Sequence, residues 1–595
     1  MDQKIKEFNK IFDNMKELYN ENNYVKALEL GLYLVQNEVI NEYLYQMITN
    51  IYYINKDYEK AINFSEITIS KYNNQENDDN LFTILTSVLN DENYDLSKEY
   101  YKSHLIKMIN NKNSKTNSLI INFIDYELNN CLNYNEIKKL YLNNAISRNI
   151  FIDSIFYMVF NKHVFNESTE NFLEVFVKEE LNSLDIYDKI NSLNNHKLFN
   201  IFLFYLTSPK ILNSNNEENR LNYDKINNNI DQLLVKCTFN FESVDLLYKY
   251  LPIYYFYYLV YTGFNNKILF QKTSNLFKKI CPDLIYTSTN LVNKSNQKIK
   301  IGFISNFIFK NHSVCKDRIG IIKSLIDDDR FEVYLFGNNN DSKEIYMDIV
   351  GNFTNRIYLT NNIKESREKI ESFNLDILVY PEIGMDFYYW ILAHSRLARI
   401  QINTWGHSET SGIDTIDYYI SSVYFEEETA QENYSEKLIR LKSLSTYYYP
   451  LNQYNYYNQL IKSEREKKLL FFNLPSNCNL YGIFQTAFKY QIINIEMIKQ
   501  ILEKDPKGVI IILGLNNNPN RFRNFLEESL GYLINRVRIF DWMVTQKYHK
   551  LLSCTDIVLD SYPFGGCNTS LDAFNFNKIV ITLPSDKLNG RFTLG

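Results

Sequence analysis

The residues best equipped for chemistry fall in one stretch, Asp560-Ser561-Tyr562-Pro563-Phe564-Gly565-Gly566-Cys567-Asn568-Thr569-Ser570-Leu571-Asp572. It follows an apolar run, Ile557–Asp560, and leads into a helical pattern. Gly565 and Gly566 let the backbone come close to a ligand. Asn568, Thr569 and Ser570 fall where a helix start presents N–H groups lacking intrahelical acceptors, an anion site suited to a pyrophosphate. Asp572, a turn further on, has the chemistry to accept bonds from ribose hydroxyls. The same stretch also reads as a plain strand–helix turn with a good N-cap. A cation belongs opposite such an anion. Lys489, in Phe484-Gln485-Thr486-Ala487-Phe488-Lys489, is the candidate to neutralise a leaving diphosphate, though a lysine in so lysine-rich a chain also reads as a solvated surface group. His312 and His407 each follow an expected strand, where a histidine serves as a base, binds hydroxyls, or simply holds structure. No histidine pair has metal spacing, HExxH is absent, and none of the seven cysteines forms CxxC. Asp327-Asp328-Asp329 reads as a solvated turn.

The elements that must position these residues show in the helix breakers. Of 17 glycines only Gly31 and Gly263 precede residue 297, and the first proline is Pro209. A stretch that avoids both breakers reads as helix after helix. Within it, Asn23-Tyr24-Val25-Lys26-Ala27-Leu28 recurs as Asp57-Tyr58-Glu59-Lys60-Ala61-Ile62, with 34 residues from Ala27 to Ala61, the tetratricopeptide period. A weaker third copy starts at Asn93-Tyr94. A generic helical bundle is the alternative. After 297, β-branched runs alternate with helical stretches, the pattern of parallel doubly wound sheets. The expected strands of the first lobe are Lys298–Ser305, Phe331–Phe336, Leu375–Tyr380, Ile400–Asn403, Ile416–Ser421 and Lys437–Leu441, with a helix at Trp390–Leu397. Those of the second are Lys468–Asn473, Val509–Leu513, Val537–Phe540, Ile557–Asp560 and Ile579–Leu583. The division is therefore tetratricopeptide-like repeats over 1–105, an all-helical region over 106–296, a Rossmann-like lobe over 297–446, a connector over 447–466 and a second Rossmann-like lobe over 467–595. The fold class is α joined to α/β, and ligands belong in the cleft between the lobes, at the carboxyl ends of the strands.

Composition narrows the function classes. A net charge of −6 offers no basic excess for a nucleic-acid partner. No run approaches the roughly 18 apolar residues of a membrane span, and Met1 to Lys16 lacks the apolar core of a signal peptide. A reducing, cytoplasmic setting fits the unpaired cysteines. The abundance of Tyr (48) and Phe (40) reads as codon bias, so no site is inferred from it.

Taken in order, the motifs from about 298 onward resemble glycosyltransferase family 41, the O-linked N-acetylglucosamine transferases and bacterial cytosolic N-glucosyltransferases. The resemblance is carried by Val379-Tyr380-Pro381-Glu382-Ile383-Gly384-Met385-Asp386, Ser395-Arg396-Leu397-Ala398-Arg399-Ile400-Gln401, Gly406-His407, Glu432-Asn433-Tyr434 and Tyr562-Pro563-Phe564-Gly565. It implies two Rossmann-like lobes of the GT-B type. It also implies inverting transfer from a UDP-sugar to a Ser/Thr hydroxyl or Asn amide of an acceptor protein, with no metal or other cofactor required and with helical repeats that recruit acceptors. By resemblance, Lys489 contacts the diphosphate, Gly566, Asn568 and Thr569 cradle the pyrophosphate, and Asp572 holds the ribose. His312 matches a histidine near acceptor and donor. Tyr548 stacks on uracil, with His549 in that place if the match slips by one residue. Cys567-Asn568-Thr569 departs from the His-Thr-Thr of the eukaryotic branch. The family continues with further helices after a position like Gly595, so the second lobe is expected to be incomplete and its apolar surface exposed. A repeat scaffold with an inactive transferase half is the competing expectation.

Overall fold

The computed structural model describes residues 2–39, 41–72, 167–208, 216–251, 255–291, 298–309, 312–338, 355–449, 455–486, 489–513 and 519–595, with five isolated positions besides. Two compact units divide at Phe176/Val177. The helices from Val177 onward share a unit with the two lobes, whose first strand begins at Ile299.

In the first unit, α1 (Asp2–Asn20), α2 (Tyr24–Gln36), α3 (Glu42–Ile54) and α4 (Tyr58–Tyr72) stack in succession. The repeat is visible in the packing. α2 and α4 begin at Tyr24 and Tyr58, and their small residues Ala27 and Ala61 are completely buried. Gly31 lies where a Cβ would sit 2.9 Å from Met15 and 3.0 Å from Ile48, so a side chain there would push the helices apart. Asn41 caps α3 by accepting from the Leu44 amide at 3.1 Å. The third copy at Asn93-Tyr94 lies outside the described residues.

After a short helix at Ile186–Asn191, the second unit carries α5 (His196–Thr207), α6 (Asn216–Lys236), α7 (Val244–Tyr250) and α8 (Lys267–Ile280). These pack on the first lobe. Asn266 donates to Glu409 at 2.9 Å, Asp245 accepts from the Ile363 amide at 2.6 Å, and Lys278 pairs with Asp414 at 2.6 Å. The first lobe is a seven-stranded sheet of β1 (Ile299–Ile304), β2 (Phe331–Gly337), β3 (Arg356–Tyr358), β4 (Ile377–Tyr380), β5 (Ile400–Thr404), β6 (Tyr418–Ser422) and β7 (Lys437–Leu441). Its order is β3-β2-β1-β4-β5-β6-β7, and every pair is parallel. α9 (Ser313–Ile326) follows β1, α10 (Ile363–Glu371) follows β3, and α11 (Phe387–Ala393) follows β4. α11 starts seven residues after β4 ends, where Asp386 caps it by accepting from the Tyr388 amide at 2.8 Å. The helix expected at Trp390–Leu397 is therefore shifted toward the N-terminus, and Ser395–Arg396 is a short strand paired with Tyr286–Thr287.

The second lobe corrects the sequence reading most. Lys468–Asn473 is not a strand: α12 (Asn455–Lys462) and α13 (Arg465–Phe471) occupy that region. Leu469 is buried while Leu470 is 81% exposed and Phe471 56%, a helical alternation hidden in a short apolar run. The first strand is instead β8 (Asn479–Ile483), followed by α14 (Ile492–Lys504), β9 (Gly508–Leu513), α15 (Pro519–Leu530), β10 (Val537–Phe540), α16 (Thr545–Cys554), β11 (Ile557–Leu559), α17 (Asn568–Asn575) and β12 (Ile579–Ile581). The order is β10-β9-β8-β11-β12, all parallel. β9 is an unbroken apolar run with Ile510, Ile511 and Ile512 fully buried, as a central strand covered on both faces requires. The residues after β12 return to the first lobe: Leu588 and Phe592 join Trp405, Tyr419, Phe425 and Tyr434 in one aromatic cluster.

Candidate active site

In each lobe the strand order reverses beside the first strand, at β1/β4 and at β8/β11, and a doubly wound sheet opens a crevice at that point. The β8/β11 crevice gathers the loop to Lys489 and the glycine loop to α17.

Asp560, at the end of β11, organises that loop. Its Oδ1 accepts from the Ser561 amide at 2.9 Å, the Gly566 amide at 2.5 Å and Gln485 Nε2 at 3.4 Å. Its Oδ2 accepts from Thr582 at 3.0 Å and Thr593 at 2.7 Å. The turn is tight enough that Gly566 has no room for a Cβ, which would sit 2.5 Å from Thr569 Oγ1 and 2.7 Å from both Gln485 Nε2 and Ser570 Oγ. α17 then starts at Asn568, which lies at the positive end of its dipole, and the Ser570 amide, expected to be open, bonds back to Cys567 O at 3.1 Å.

Lys489 stands against this loop. Its ammonium donates to Gly565 O at 2.9 Å and Gln485 Oε1 at 2.8 Å and lies 4.2 Å from the Phe564 ring centroid. Burial pushes it down to about 8, with the Asp560 charge working the other way. Gln485 in turn donates to Thr569 Oγ1 at 2.9 Å, so Lys489, Gly565, Gln485 and Thr569 form one hydrogen-bonded constellation.

Asp572 is buried on the inner side of α17, 3.8 Å from His549 Nε2, and its Oδ1 accepts from Tyr448 at 3.3 Å. Tyr548 is half-buried beside it with its ring edge-on to Phe484, and burial plus the Asp572 charge push its hydroxyl well above the ordinary range. His549 is fully buried and stacked with Tyr456, whose hydroxyl is 3.1 Å from Nδ1. Of Tyr548 and His549, Tyr548 is the one that keeps an accessible face.

The two histidines do not join this constellation. His312 caps α9, with Nδ1 accepting from the Val314 amide at 3.2 Å and its ring 4.4 Å from that of Phe307. His407 is 5% exposed, stacks on Tyr257, and places Nε2 3.4 Å from Tyr257 O. Burial drives its imidazolium down to about 4, so it is neutral at physiological pH.

What the first lobe brings to α17 is Asp317, which the sequence reading passed over. Its carboxylate accepts from Asn568 Nδ2 at 3.1 and 3.3 Å, and burial pushes it up to about 6. Asp560, Gln485 and Tyr448 were also missed. Asp560 and Gln485 lie inside the motifs already singled out, whereas nothing local marks Asp317 or Tyr448. Among the described residues, no three His, Cys, Asp or Glu side chains gather for a metal ion, and no helix is long and apolar enough to cross a membrane.

Two parallel-sheet lobes facing each other, with a glycine loop and helix start at the switch point of the second, define the GT-B architecture of glycosyltransferases. No protein-family profile matches the chain. It is 27% identical over 217 residues to a UDP-glucose:protein N-beta-glucosyltransferase of Actinobacillus pleuropneumoniae, a match covering 36% of this chain and 33% of that protein. It is 24% identical over 196 residues to the probable UDP-N-acetylglucosamine–peptide N-acetylglucosaminyltransferase SEC of Arabidopsis thaliana, covering 33% and 20%. A mutant O-GlcNAc transferase from Thermobaculum terrenum superposes over 98% of this chain and 84% of its own, with TM-score 0.47 and 13% identity. The resemblance to glycosyltransferase family 41 thus extends from motifs to aligned sequence. The matched stretch spans about a third or less of the length of these curated relatives.

Proposed function

We propose that the chain is a UDP-sugar-dependent protein glycosyltransferase that inverts at the anomeric carbon and places the sugar on a Ser/Thr hydroxyl or Asn amide. The observation that carries this reading is the placement of Lys489 2.9 Å from Gly565 O, beside the start of α17, with Asp572 a turn beyond. A leaving diphosphate in that crevice meets one ammonium and the first-turn amides together, preorganised charge where charge develops. Tyr548 offers the base a half-exposed ring, and Asp572 offers the ribose a carboxylate. The relatives' activities point the same way, and the retained constellation favours an enzyme over an inactive scaffold. The reaction needs no metal on this reading, the α1–α4 repeats receive acceptor protein, and the setting is cytoplasmic. The test is calorimetric titration of the full chain and its Lys489→Ala variant with UDP, followed by transfer from a panel of UDP-sugars. UDP binding that survives unchanged in Lys489→Ala would refute the assignment.

A further inference from the structure

Two of the donor-site side chains that α17 carries, Asn568 and Asp572, are already engaged by groups of the first lobe and its connector, and each engaging group has the chemistry of the ligand part it faces. Asn568, at the pyrophosphate end, donates to the Asp317 carboxylate, an anionic oxygen pair. Asn568 Oδ1 is buried without a partner among the described residues, so the amide is held from one side only. Asp572, at the ribose end, accepts from the Tyr448 hydroxyl at 3.3 Å. The two engaging residues form one structure. Thr446 donates to Asp317 O at 2.6 Å, and the adjacent Arg318 lies over Trp405 and donates to Ser445 O at 2.9 Å. Gly320, on the same face of α9, admits no Cβ, which would lie 2.6 Å from Tyr447 O. The strap from Ser445 to Tyr449 is therefore laid tightly along α9 and reaches the second lobe at Tyr448.

We propose that Asp317 and Tyr448 belong to the donor site as a built-in clasp: the carboxylate stands in for a phosphate oxygen and the phenol for a ribose hydroxyl, and the nucleoside diphosphate binds by displacing both. This rests on the donor-site reading above. Donor binding then exchanges lobe-to-lobe hydrogen bonds for lobe-to-ligand ones. The net affinity is lowered by what the clasp is worth, and the lobes are freed to move as the donor enters.

The test uses the full chain and two ligands, UDP and uridine, titrated into wild type, Tyr448→Phe, Asp317→Ala and Lys489→Ala, with thermal unfolding to confirm a cooperative fold. Tyr448→Phe removes one oxygen and keeps the ring. It is expected to tighten both ligands by roughly three- to tenfold, the worth of one hydrogen bond no longer broken. Asp317→Ala is expected to tighten UDP by at least as much and leave uridine unchanged, because uridine has no phosphate. Should Asp317→Ala not fold, Tyr448→Phe carries the test alone. A Tyr448→Phe protein that binds UDP no better than wild type, or worse, overturns the clasp while Lys489-dependent UDP binding keeps the donor site. Absence of UDP binding in every protein overturns both.

Discussion

Lys489 sets a pH signature that separates a diphosphate cation from a structural lysine. Its ammonium is held at about 8 by burial, against an ordinary value near 10.5. Only the protonated form attracts a diphosphate. Between pH 7 and pH 9 the protonated fraction of the free protein falls from about nine-tenths to about one-tenth, and UDP affinity should fall with it, about tenfold or ~1.4 kcal/mol. UDP contributes little, because a phosphate's second ionisation near pH 6 is complete below this range. The groups facing the ammonium are Asp560 and the Cys567 thiol, and burial pushes that thiol well above its ordinary range, out of the window. Unfolding does not mimic the effect. Between pH 8 and 10.5 the unfolded chain holds this proton and the folded chain does not, so Lys489 makes the fold more stable as pH rises. The assay is isothermal titration of UDP at half-unit steps from pH 7 to 9.5, on wild type and Lys489→Ala. Affinity that is flat across pH 8, or that declines identically in Lys489→Ala, would refute the role.

Three further outcomes follow from described geometry. Gly566→Ala forces a methyl against Thr569, Gln485 and Ser570, and should cost about 1–3 kcal/mol in urea unfolding while abolishing UDP binding; a variant that binds UDP normally would show that the loop does not shape the site. Burial lowers His394 to about 3 and His407 to about 4, so each takes up a proton on unfolding below its ordinary value near 6.5. Their stability contribution is complete above pH 6.5 and is lost toward pH 4, at ~1.4 kcal/mol per pH unit for each. Urea midpoints that stay level from pH 6.5 to 4.5 would contradict this. Transfer, once an acceptor is found, should persist in EDTA; loss of activity restored by Mn²⁺ would argue against charge neutralisation by Lys489 alone.

How much of this was legible in the sequence varied with the range of the interactions. The 34-residue repeat showed because small residues at helix contacts leave a local mark, Ala27 and Ala61, that recurs with the structure. Six of the seven strands of the first lobe showed, because parallel strands covered on both faces are apolar runs; β3, only Arg356–Tyr358 at the sheet edge, is too short to leave such a run. β8 did not show: Asn479-Leu480-Tyr481-Gly482-Ile483 carries a glycine, needed because a Cβ there would lie 2.6 Å from the Phe484 ring, and its neighbour α13 mimics a strand. In the candidate site, the glycine loop, Lys489 and Asp572 were legible as candidates because each stands in a short stretch of suggestive residue types. The engagement of His407 with Tyr257, and of Asp317 with Asn568, joins positions 150 and 251 residues apart. Pairings of that kind are created when distant segments meet in the fold and leave no pattern along the chain.

The returning segment after β12 carries a mechanical consequence. Phe592 is lodged in the aromatic cluster of the first lobe, and the next residue, Thr593, donates to Asp560 and to Gly566 O of the second. Arg591, one residue earlier, grips Phe425 O and Glu427. Adjacent links of the chain are thus fastened to opposite sides of the cleft, one of them to the carboxylate that shapes the phosphate loop. Such a stitch has almost no slack, since neighbouring Cα atoms are about 3.8 Å apart. Any widening of the cleft at this edge has to pull on Asp560 before it can move the lobes apart, so the glycine loop and the aperture of the cleft are geared to one another.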